Sequence, residues 1–288
     1  MTEFLQVGLN CLVLSANYIL LALGLTLIFG ILRVLNFAHG TFYICGAYVV
    51  YALVQRAGLH YFQAALTAMI VIGGLGIFIE AAVLYPLSEK VKVASLGAIL
   101  GVSMILEGAL AFIFEGEDVT IGSHFKGILT VRGATLSRER LMVVLLCGLI
   151  VIGLYVWIRR TRQGIAIRAL AENPRVAALQ GINIRFMRFL VMGVASFLAA
   201  AAGSIVTPLF YINPFMGGGI IFKALLIVAV GGMGSIEGSI LAGLLIGVVE
   251  SIGVTYLGPV AEVASFLIVI AVFLFRPQGL LGVEYEFH

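Results

Sequence analysis

The sequence predicts an all-α fold: a polytopic bundle of helices that crosses a membrane about eight or nine times, with broken or half helices among the crossings. Two observations carry this prediction. Hydrophobic residues fill 62% of the 288 positions and charged residues only 11%, whereas ordinary soluble domains contain about 25% charged residues. Apolar runs of about 20 residues, the length that a helix needs to cross the hydrocarbon core, recur from end to end. We expect one transmembrane domain over residues 1–288.

The apolar runs give nine candidate spans. They lie near residues 8–30, 37–56, 61–86, 94–114, 140–158, 186–211, 219–232, 236–256 and 259–275. The run at 219–232 is short enough to be a half-span, which would leave eight full crossings. The first basic residue is Arg33, so we expect the first run to be a retained helix rather than a cleaved signal peptide.

The basic residues orient this bundle. Seven of the 17 Lys and Arg residues lie in the segment 159–188, with only Glu172 opposing them. By the positive-inside rule this segment is cytoplasmic, the loop at 115–139 is outside and the C-terminus is inside. The N-terminus is then outside if 37–56 is a full crossing. Because the basic residues gather in one loop rather than on a folded basic face, no nucleic-acid partner is expected.

The segment 159–188 has the pattern of two short helices. Residues 164–172 are predicted to be helical up to Asn173-Pro174, where Asn173 suits the N-cap of a second helix and the proline its first position. Gly181 suits the C-terminal cap of that second helix. Two interpretations stay open: a lever that fits a groove on a soluble partner, and an interfacial helix that anchors the loop to the membrane.

A polar stretch, Asn36-Phe37-Ala38-His39-Gly40, separates the first two spans. Lipid offers no hydrogen-bonding partners, so these groups must face protein or a water-lined cavity. Asn36 can cap a helix, His39 can titrate and Gly40 lets another helix come close. We predict that this stretch and the adjoining Thr41 line or gate a pathway, because a helix start there points amide donors at an anionic substrate group. Hydrogen-bonded helix packing is the alternative for His39.

Five charged residues interrupt the predicted spans: Glu80, Glu107, Lys223, Glu250 and Glu262. Glu80 and Glu262 lie near span ends and are expected to reach water, and Lys223 can snorkel outward. Glu107 and Glu250 are deeper, where one charge costs about 2.5–3.5 kcal/mol at a helix centre. We expect these two to face the bundle interior and to bond neighbouring helices, with a proton relay as the alternative. Glu107, Lys223 and Glu250 are candidates for the pathway lining.

Several motifs follow one another along the chain. They are Asn36-Phe37-Ala38-His39-Gly40; Gly164, Arg168, Ala169, Glu172, Asn173, Ala177 and Gly181-Ile182-Asn183; Lys223-Ala224; Gly231-Gly232-Met233-Gly234-Ser235, Gly238 and Glu250; and Arg276-Pro277-Gln278-Gly279-Leu280. In this order they resemble the permease subunits of bacterial ABC importers for branched-chain amino acids, a group that also handles amides, urea and some aromatic acids. The resemblance covers nearly the whole chain, but the loop at 115–139 shows no match.

The resemblance implies a permease subunit that moves small amino acids of the branched-chain type, or related amides or carboxylates, across a bacterial inner membrane. It implies a second permease subunit, homologous or identical, and membrane lipid around both. It also implies two ATP-binding cassette ATPases, which dock at residues 164–182, and an extracytoplasmic solute-binding protein that delivers cargo to the outer face.

The sequence has no ATP-binding motif of its own. It contains no Gly-x-x-x-x-Gly-Lys-Ser/Thr phosphate loop, Gly-x-Ser-x-Gly or His-Glu-x-x-His motif. We expect that this chain is not an enzyme and binds no cofactor or metal, and that ATP and Mg²⁺ bind the partner ATPases. The alternative function is a stand-alone ion-coupled secondary transporter or channel that uses Glu107, Glu250 and His39. The capped cytoplasmic segment favours the subunit, since a self-sufficient carrier needs no docking lever.

Overall fold

The computed structural model of the protein describes residues 2–32, 34–88, 92–122, 127–131, 134–258 and 261–282. The helices are α1 (Thr2–Leu32), α2 (Ala38–Gln55), α3 (Tyr61–Ile79), α4 (Tyr85–Ser88), α5 (Lys92–Ile113), α6 (Arg138–Arg160), α7 (Arg162–Glu172), α8 (Pro174–Leu179), α9 (Ile184–Val206), α10 (Gly217–Gly231), α11 (Ile236–Leu257) and α12 (Ala261–Phe275). A π-helical turn (Glu80–Leu84) joins α3 to α4, and a 3-10 turn (Pro214–Met216) precedes α10.

Each of the nine predicted spans is a helix. Seven stretches of the described residues are long and apolar enough to cross a membrane: Gln6–Leu32, Tyr61–Leu87, Ala94–Ile113, Arg138–Arg160, Ile184–Val206, Pro214–Gly231 and Ile236–Leu257. The other two helices are α2, with 18 residues, and α12, with 15. The polytopic helical bundle is therefore confirmed, whereas the total of eight or nine crossings stays a prediction.

The structure adds a β-hairpin that the all-α prediction left out. Strands β1 (Ile128–Val131) and β2 (Ala134–Ser137) pair antiparallel within the predicted outer loop, with Leu129 opposite Leu136. Strands of four residues are too short to give an alternating sequence signal that stands out beside the long apolar runs.

The helix at the predicted span 186–211 ends earlier than expected. Its helix, α9, ends at Val206, and Pro208 follows directly after the C-cap residue Thr207, where proline commonly stops a helix. The loop that follows pairs with the outer loop: Val119 and Ile212 exchange two backbone hydrogen bonds of 2.9 Å. Both loops therefore lie at the same end of the bundle, as the predicted orientation requires.

α1 and α9 form the centre of the bundle. Every residue from 17 to 28 in α1 is buried, and so is nearly every residue from 191 to 206 in α9. α2, α3 and α11 pack against these two helices. Their side chains meet each other rather than lipid, so this centre is where a protein-enclosed path can run.

Small residues allow the closest of these contacts. Gly247 of α11 lies against α1, where an added methyl carbon would come within 2.6 Å of the Ser15 Cα atom. Gly243 and Gly247, four residues apart on α11, therefore both meet α1 directly. The pair Gly97 and Gly101 on α5 differs, because added methyl groups there would meet nothing within 4 Å.

Contacts at the two ends of α1 show the direction in which this helix crosses the bundle. The side chain of Arg140, in the first turn of α6, bonds the side-chain oxygen of Asn10, so α1 starts at the end of the bundle that holds the hairpin. Gly30, near the end of α1, approaches Gly234 in the turn between α10 and α11. α1 therefore runs from the hairpin end of the bundle to the end that holds the turn between α10 and α11, as the predicted orientation requires.

Candidate translocation pathway and coupling segment

α2 begins inside the bundle rather than at its edge. The Oδ1 atom of Asn36 accepts a hydrogen bond from the Ala38 N–H (3.0 Å), so Asn36 starts this helix as predicted. The Nε2 atom of His39 lies 3.0 Å from the carbonyl oxygen of Leu21. Leu21 precedes the end of α1 at Leu32 by 11 residues, or about 16 Å of helix. The motif therefore lies at roughly half the depth of a 30 Å hydrocarbon core.

His39 and Asn36 are enclosed by protein. His39 is 0% exposed and Asn36 3%, and the Asn36 amide lies 3.5 Å from the sulfur of Met192 on α9. The Nδ1 atom of His39 has no hydrogen-bond partner among the described residues. Both side chains lie in the packing between α1, α2 and α9, and neither lines the cavities described below. A pathway role for either one stays a prediction.

Gly40 and Thr41 lie where α2 meets α10 and α5. A methyl group at Gly40 would overlap the carbonyl oxygen of Gly217, so the two helices touch because this side chain is absent. The Thr41 hydroxyl donates to Oε1 of Glu107 (2.9 Å) and lies 2.6 Å from the Ser103 hydroxyl. Glu107 thus bonds a neighbouring helix, as predicted.

Lys223 of α10 and Glu250 of α11 form an ion pair inside the bundle. The Glu250 side chain is 8% exposed and that of Lys223 23%, and the ammonium also lies 5.6 Å from the ring centre of Tyr18 on α1. The expectation that Lys223 snorkels to water is wrong, because a buried carboxylate needs a cation beside it. The expectation that Glu250 bonds a neighbouring helix is confirmed.

Two adjoining cavities lie between α1, α2 and α10. A cavity of about 430 Å³ is lined by Asn17, Tyr18, Leu21, Tyr43, Phe215, Met216, Gly219, Ile220 and Lys223. A second one, of about 250 Å³, shares several of these residues and continues to Phe210, Tyr211 and Ile212 in the loop after α9. Together they extend from the hairpin end of the bundle to Lys223. Their walls are mainly aromatic and aliphatic, and a cation stands at their inner end.

Hydrogen bonds join the outer loop to the loop after α9 at this end of the bundle. The Tyr48 hydroxyl of α2 lies 3.1 Å from the carbonyl oxygens of both Glu117 and Ile212. These contacts and the Val119–Ile212 pairing join the outer loop to the loop after α9. The loop after α9, which lines the outer end of the second cavity, is therefore attached to the outer loop by hydrogen bonds.

Glu80, expected to reach water, is instead fully buried, so that expectation is wrong. Its Oε1 atom accepts hydrogen bonds of 2.8 Å from Nε and Nη2 of Arg188, which joins the end of α3 to the start of α9. The guanidinium groups of Arg185 and Arg188 also stack on Tyr85, at 4.8 and 5.6 Å. Glu80 opens the π-helical turn, a feature that often occurs at functional sites.

The Glu80–Arg188 pair was not predicted from the sequence. A signal existed: opposite charges stand at the predicted cytoplasmic ends of two spans, Glu80 in 61–86 and Arg188 in 186–211. The side chain of Glu262, also expected to reach water, lies outside the described residues.

The segment 159–188 folds as the predicted pair of short helices. The Thr161 hydroxyl caps α7 by accepting from the Gly164 N–H (3.1 Å). Asn173 caps α8, where its Oδ1 atom accepts from the N–H of Val176 (3.2 Å). α8 closes at Gly181, whose φ of 82° is in the left-handed region that favours glycine at this position.

The residues assigned to ATPase coupling have two structural settings. Gly164 and Ala177 are buried, Ala169 is half-buried, and Arg168, Glu172, Asn173 and Gly181 are exposed. A methyl group at Gly164 would overlap the backbone of Ile158. Gly164 therefore lets α7 pack against the end of α6, and α8 packs on α7. Only the exposed members are accessible to a partner.

A charged cleft of about 750 Å³ lies beside this segment. It is bordered by Arg168 and Glu172 of α7 on one side and by the turn between α10 and α11 on the other. Arg159 and Glu237 form an ion pair of 2.5 Å across it, with both side chains about half exposed. The cleft is open at the end of the bundle predicted to face the cytoplasm.

Comparisons with known proteins agree with this geometry. Residues 8–275 match the family described as branched-chain amino acid transport system, permease component. The high-affinity branched-chain amino acid transport system permease protein LivH of Salmonella typhimurium is 30% identical over 97% of this chain and 96% of its own length. BraD of Pseudomonas aeruginosa, described in the same words, is 32% identical over the same shares. A probable branched-chain amino acid transport permease protein LivH from Methanocaldococcus jannaschii is 31% identical, over 96% of this chain and 92% of its own length.

A solved structure has a similar fold. PsaBC from Streptococcus pneumoniae in complex with Fab gives a TM-score of 0.51 at 13% identity, over 92% of this chain and 89% of that chain. At this identity the likeness concerns the fold alone.

Proposed function

Because the chain belongs to the permease family of branched-chain amino acid transport systems, we propose that it carries a branched-chain aliphatic amino acid across the bacterial inner membrane. It is a multi-pass membrane protein and the permease subunit of an ABC importer. This function replaces the alternative of a stand-alone ion-coupled carrier. The observation that carries the substrate proposal is the apolar cavity that ends at the Lys223–Glu250 pair.

The cavity suits a zwitterion with an aliphatic side chain. Leu21, Tyr43 and Ile220 line it with apolar surface, which favours burial of a hydrocarbon group. Lys223 lines the inner end of the cavity and is paired with Glu250, which lines neither cavity. The carboxylate of an amino acid can therefore contact the Lys223 ammonium while Glu250 keeps its partner, so neither buried charge is left unpaired.

The energy comes from partner subunits. The family implies ATPases and a solute-binding protein in general, and we assign two ATPases that bind ATP and Mg²⁺ and contact Arg168, Glu172 and Gly181. The solute-binding protein docks at the hairpin end. A second permease, homologous or identical, packs along α10 and the 3-10 turn before it, where Phe222 and Phe215 are each 63% exposed. Phe215 also lines the cavity, so a partner on this face would adjoin the proposed pathway.

The short helices transmit force because they connect directly to the centre of the bundle. α9 starts within five residues of the end of α8, and Asn183 caps it by accepting from the Phe186 N–H (3.0 Å). The Glu80–Arg188 pair then ties the start of α9 to α3. A push on α7 and α8 therefore moves α9 and α3 together as a rigid unit. This movement displaces Val206 and the loop after α9, which line the second cavity.

Filling the cavity tests the proposal. The complete assembly is reconstituted in vesicles, and uptake of labelled leucine is measured with Ile220→Trp and with the control Ile252→Trp. Ile252 is 43% exposed on α11 and lines neither cavity. We expect Ile220→Trp to lower uptake at least about tenfold, which corresponds to about 1.4 kcal/mol, while ATP hydrolysis persists. Equal uptake by the two variants would show that the substrate takes another path.

A further inference from the structure

A groove between α3, α6 and α9 is separate from the proposed pathway. It holds about 770 Å³ and is lined by apolar residues, among them Gly74 and Ile77 of α3, Gly153 and Trp157 of α6, and Leu190 and Phe197 of α9. The indole N–H of Trp157 points to the Gln163 side chain at 3.3 Å, so it faces the end of α6. The groove wall thus offers hydrocarbon contact and almost no hydrogen bonds.

Glycines make this groove deep. α3 and α9 touch at its floor, where a methyl carbon added to Gly73 would lie 3.3 Å from the Gly193 carbonyl oxygen. α6 stands apart from that contact: methyl groups added to Gly74 or Gly153 would meet nothing within 4 Å among the described residues. An apolar space of this kind does not hold water, so in a bilayer hydrocarbon fills it.

The groove spans one leaflet. Trp157 lies three residues before the end of α6 at Arg160, the position of the aromatic belt at a membrane surface. Leu149, at the other end of the groove, is 11 residues before Arg160, or about 16 Å along the helix. That distance is roughly half of a 30 Å hydrocarbon core, so the groove has the length of one acyl chain.

The surface end of the groove is basic. Gly153, Trp157 and Arg160 are four and three residues apart and therefore share one face of α6. Arg160 and Arg162 are exposed at this end, which is the predicted cytoplasmic side. Basic residues at that surface attract anionic headgroups, so the charge at the rim complements an anionic lipid rather than a second hydrophobic helix.

We propose that this groove binds an anionic phospholipid of the cytoplasmic leaflet, with an acyl chain between α6 and α9 and the phosphate beside Arg160. The bound chain holds α6 away from the α3–α9 contact that the coupling segment moves. The binding itself does not depend on the proposed substrate, so it can fail or succeed independently of the uptake experiment.

Trp157 reports on the groove directly, because it is the only tryptophan in the sequence. The full chain is placed in phosphatidylcholine vesicles that contain a minor fraction of lipid brominated on its acyl chains. The brominated lipid is either phosphatidylglycerol or phosphatidylcholine, at equal mole fraction. Bromine quenches tryptophan fluorescence on contact, and we expect phosphatidylglycerol to quench at least about twofold more strongly, because of the basic rim.

Four variants test the site. Gly153→Phe fills the groove and is expected to remove the preference for phosphatidylglycerol, whereas Gly148→Phe, on the same helix but outside the groove, retains it. An added methyl at either glycine meets nothing within 4 Å, so neither position is closed to a side chain. Gly74→Phe repeats the test from the opposite wall. Arg160→Gln is expected to leave quenching but to equalise the two lipids.

Two outcomes would overturn the proposal. Equal quenching by both lipids in the wild-type chain would mean ordinary contact with bulk lipid. Absence of quenching by either lipid would mean that protein, such as a second copy of the chain, covers the groove.

Discussion

Replacing Arg188 with alanine removes the cation that keeps the Glu80 carboxylate buried. Glu80 is 0% exposed and its charged partner only 17%, so water does not take the place of the guanidinium. Breaking a buried ion pair by removing one partner costs about 3–5 kcal/mol. At about 2–4 °C per kcal/mol for chains of comparable size, the midpoint of thermal unfolding should fall by roughly 6–20 °C. The measurement is the loss of the monodisperse peak of purified protein on heating.

The double variant Glu80→Leu/Arg188→Met separates charge burial from packing. Well-packed apolar residues in place of a buried pair are often neutral or stabilising, so its midpoint should return to the wild-type value or exceed it. Arg159→Ala is the matched control, because it breaks a pair whose partners are about half exposed, and surface pairs contribute little. An unchanged midpoint in Arg188→Ala, or a double variant as unstable as the single one, would refute this reasoning.

Three further predictions concern the pathway and the coupling segment. Gly40→Ala forces α2 away from the Gly217 carbonyl, so leucine uptake and the unfolding midpoint of the purified protein should both fall. Lys223→Met leaves the Glu250 carboxylate without its cation and should abolish uptake in vesicles. Gly181→Ala places a side chain at φ 82°, which costs about 1–2 kcal/mol. It should lower uptake per ATP hydrolysed while basal hydrolysis by the ATPases persists.

Each of these predictions has its own control. Gly97→Ala meets open space and should leave uptake intact, so an equal loss at Gly40 and Gly97 would contradict the close-contact argument. Lys223→Met/Glu250→Gln should restore a folded protein without restoring uptake. Recovery of uptake in this double variant would exclude the pair from the substrate site. Gln180→Ala, which keeps the glycine beside it, should couple hydrolysis to uptake normally.

Features that depend on neighbouring residues were predictable from the sequence. The caps at Asn173 and Gly181 involve atoms within a few residues, and the helices form where these residue types predict them. The approximate length of most spans follows from the same kind of local information, because the bilayer sets it, although α9 ends at Val206 rather than at the predicted residue 211.

Features that depend on distant partners were not predictable in the same way. Glu80 and Arg188 are 108 positions apart, and a charge near a span end suits water as well as a buried partner. Lys223 was expected to reach water for the same reason, but in the folded chain its ammonium group pairs with Glu250, 27 positions away. The depth of His39 depends on how residues 34–37 lead back into the bundle, and no local pattern encodes that path. The four-residue strands of the hairpin give too weak a periodic signal beside the long apolar runs.

Few hydrogen bonds join the outer loop to the loop after α9: the Val119–Ile212 pairing and the contacts of the Tyr48 hydroxyl. Two backbone bonds and one shared hydroxyl contribute about 1 kcal/mol each, or about 3 kcal/mol in all. A free energy of this size means that the two loops are apart in roughly one molecule in a hundred. A protein that docks at this end therefore needs to supply only about three replacement hydrogen bonds to keep the two loops apart.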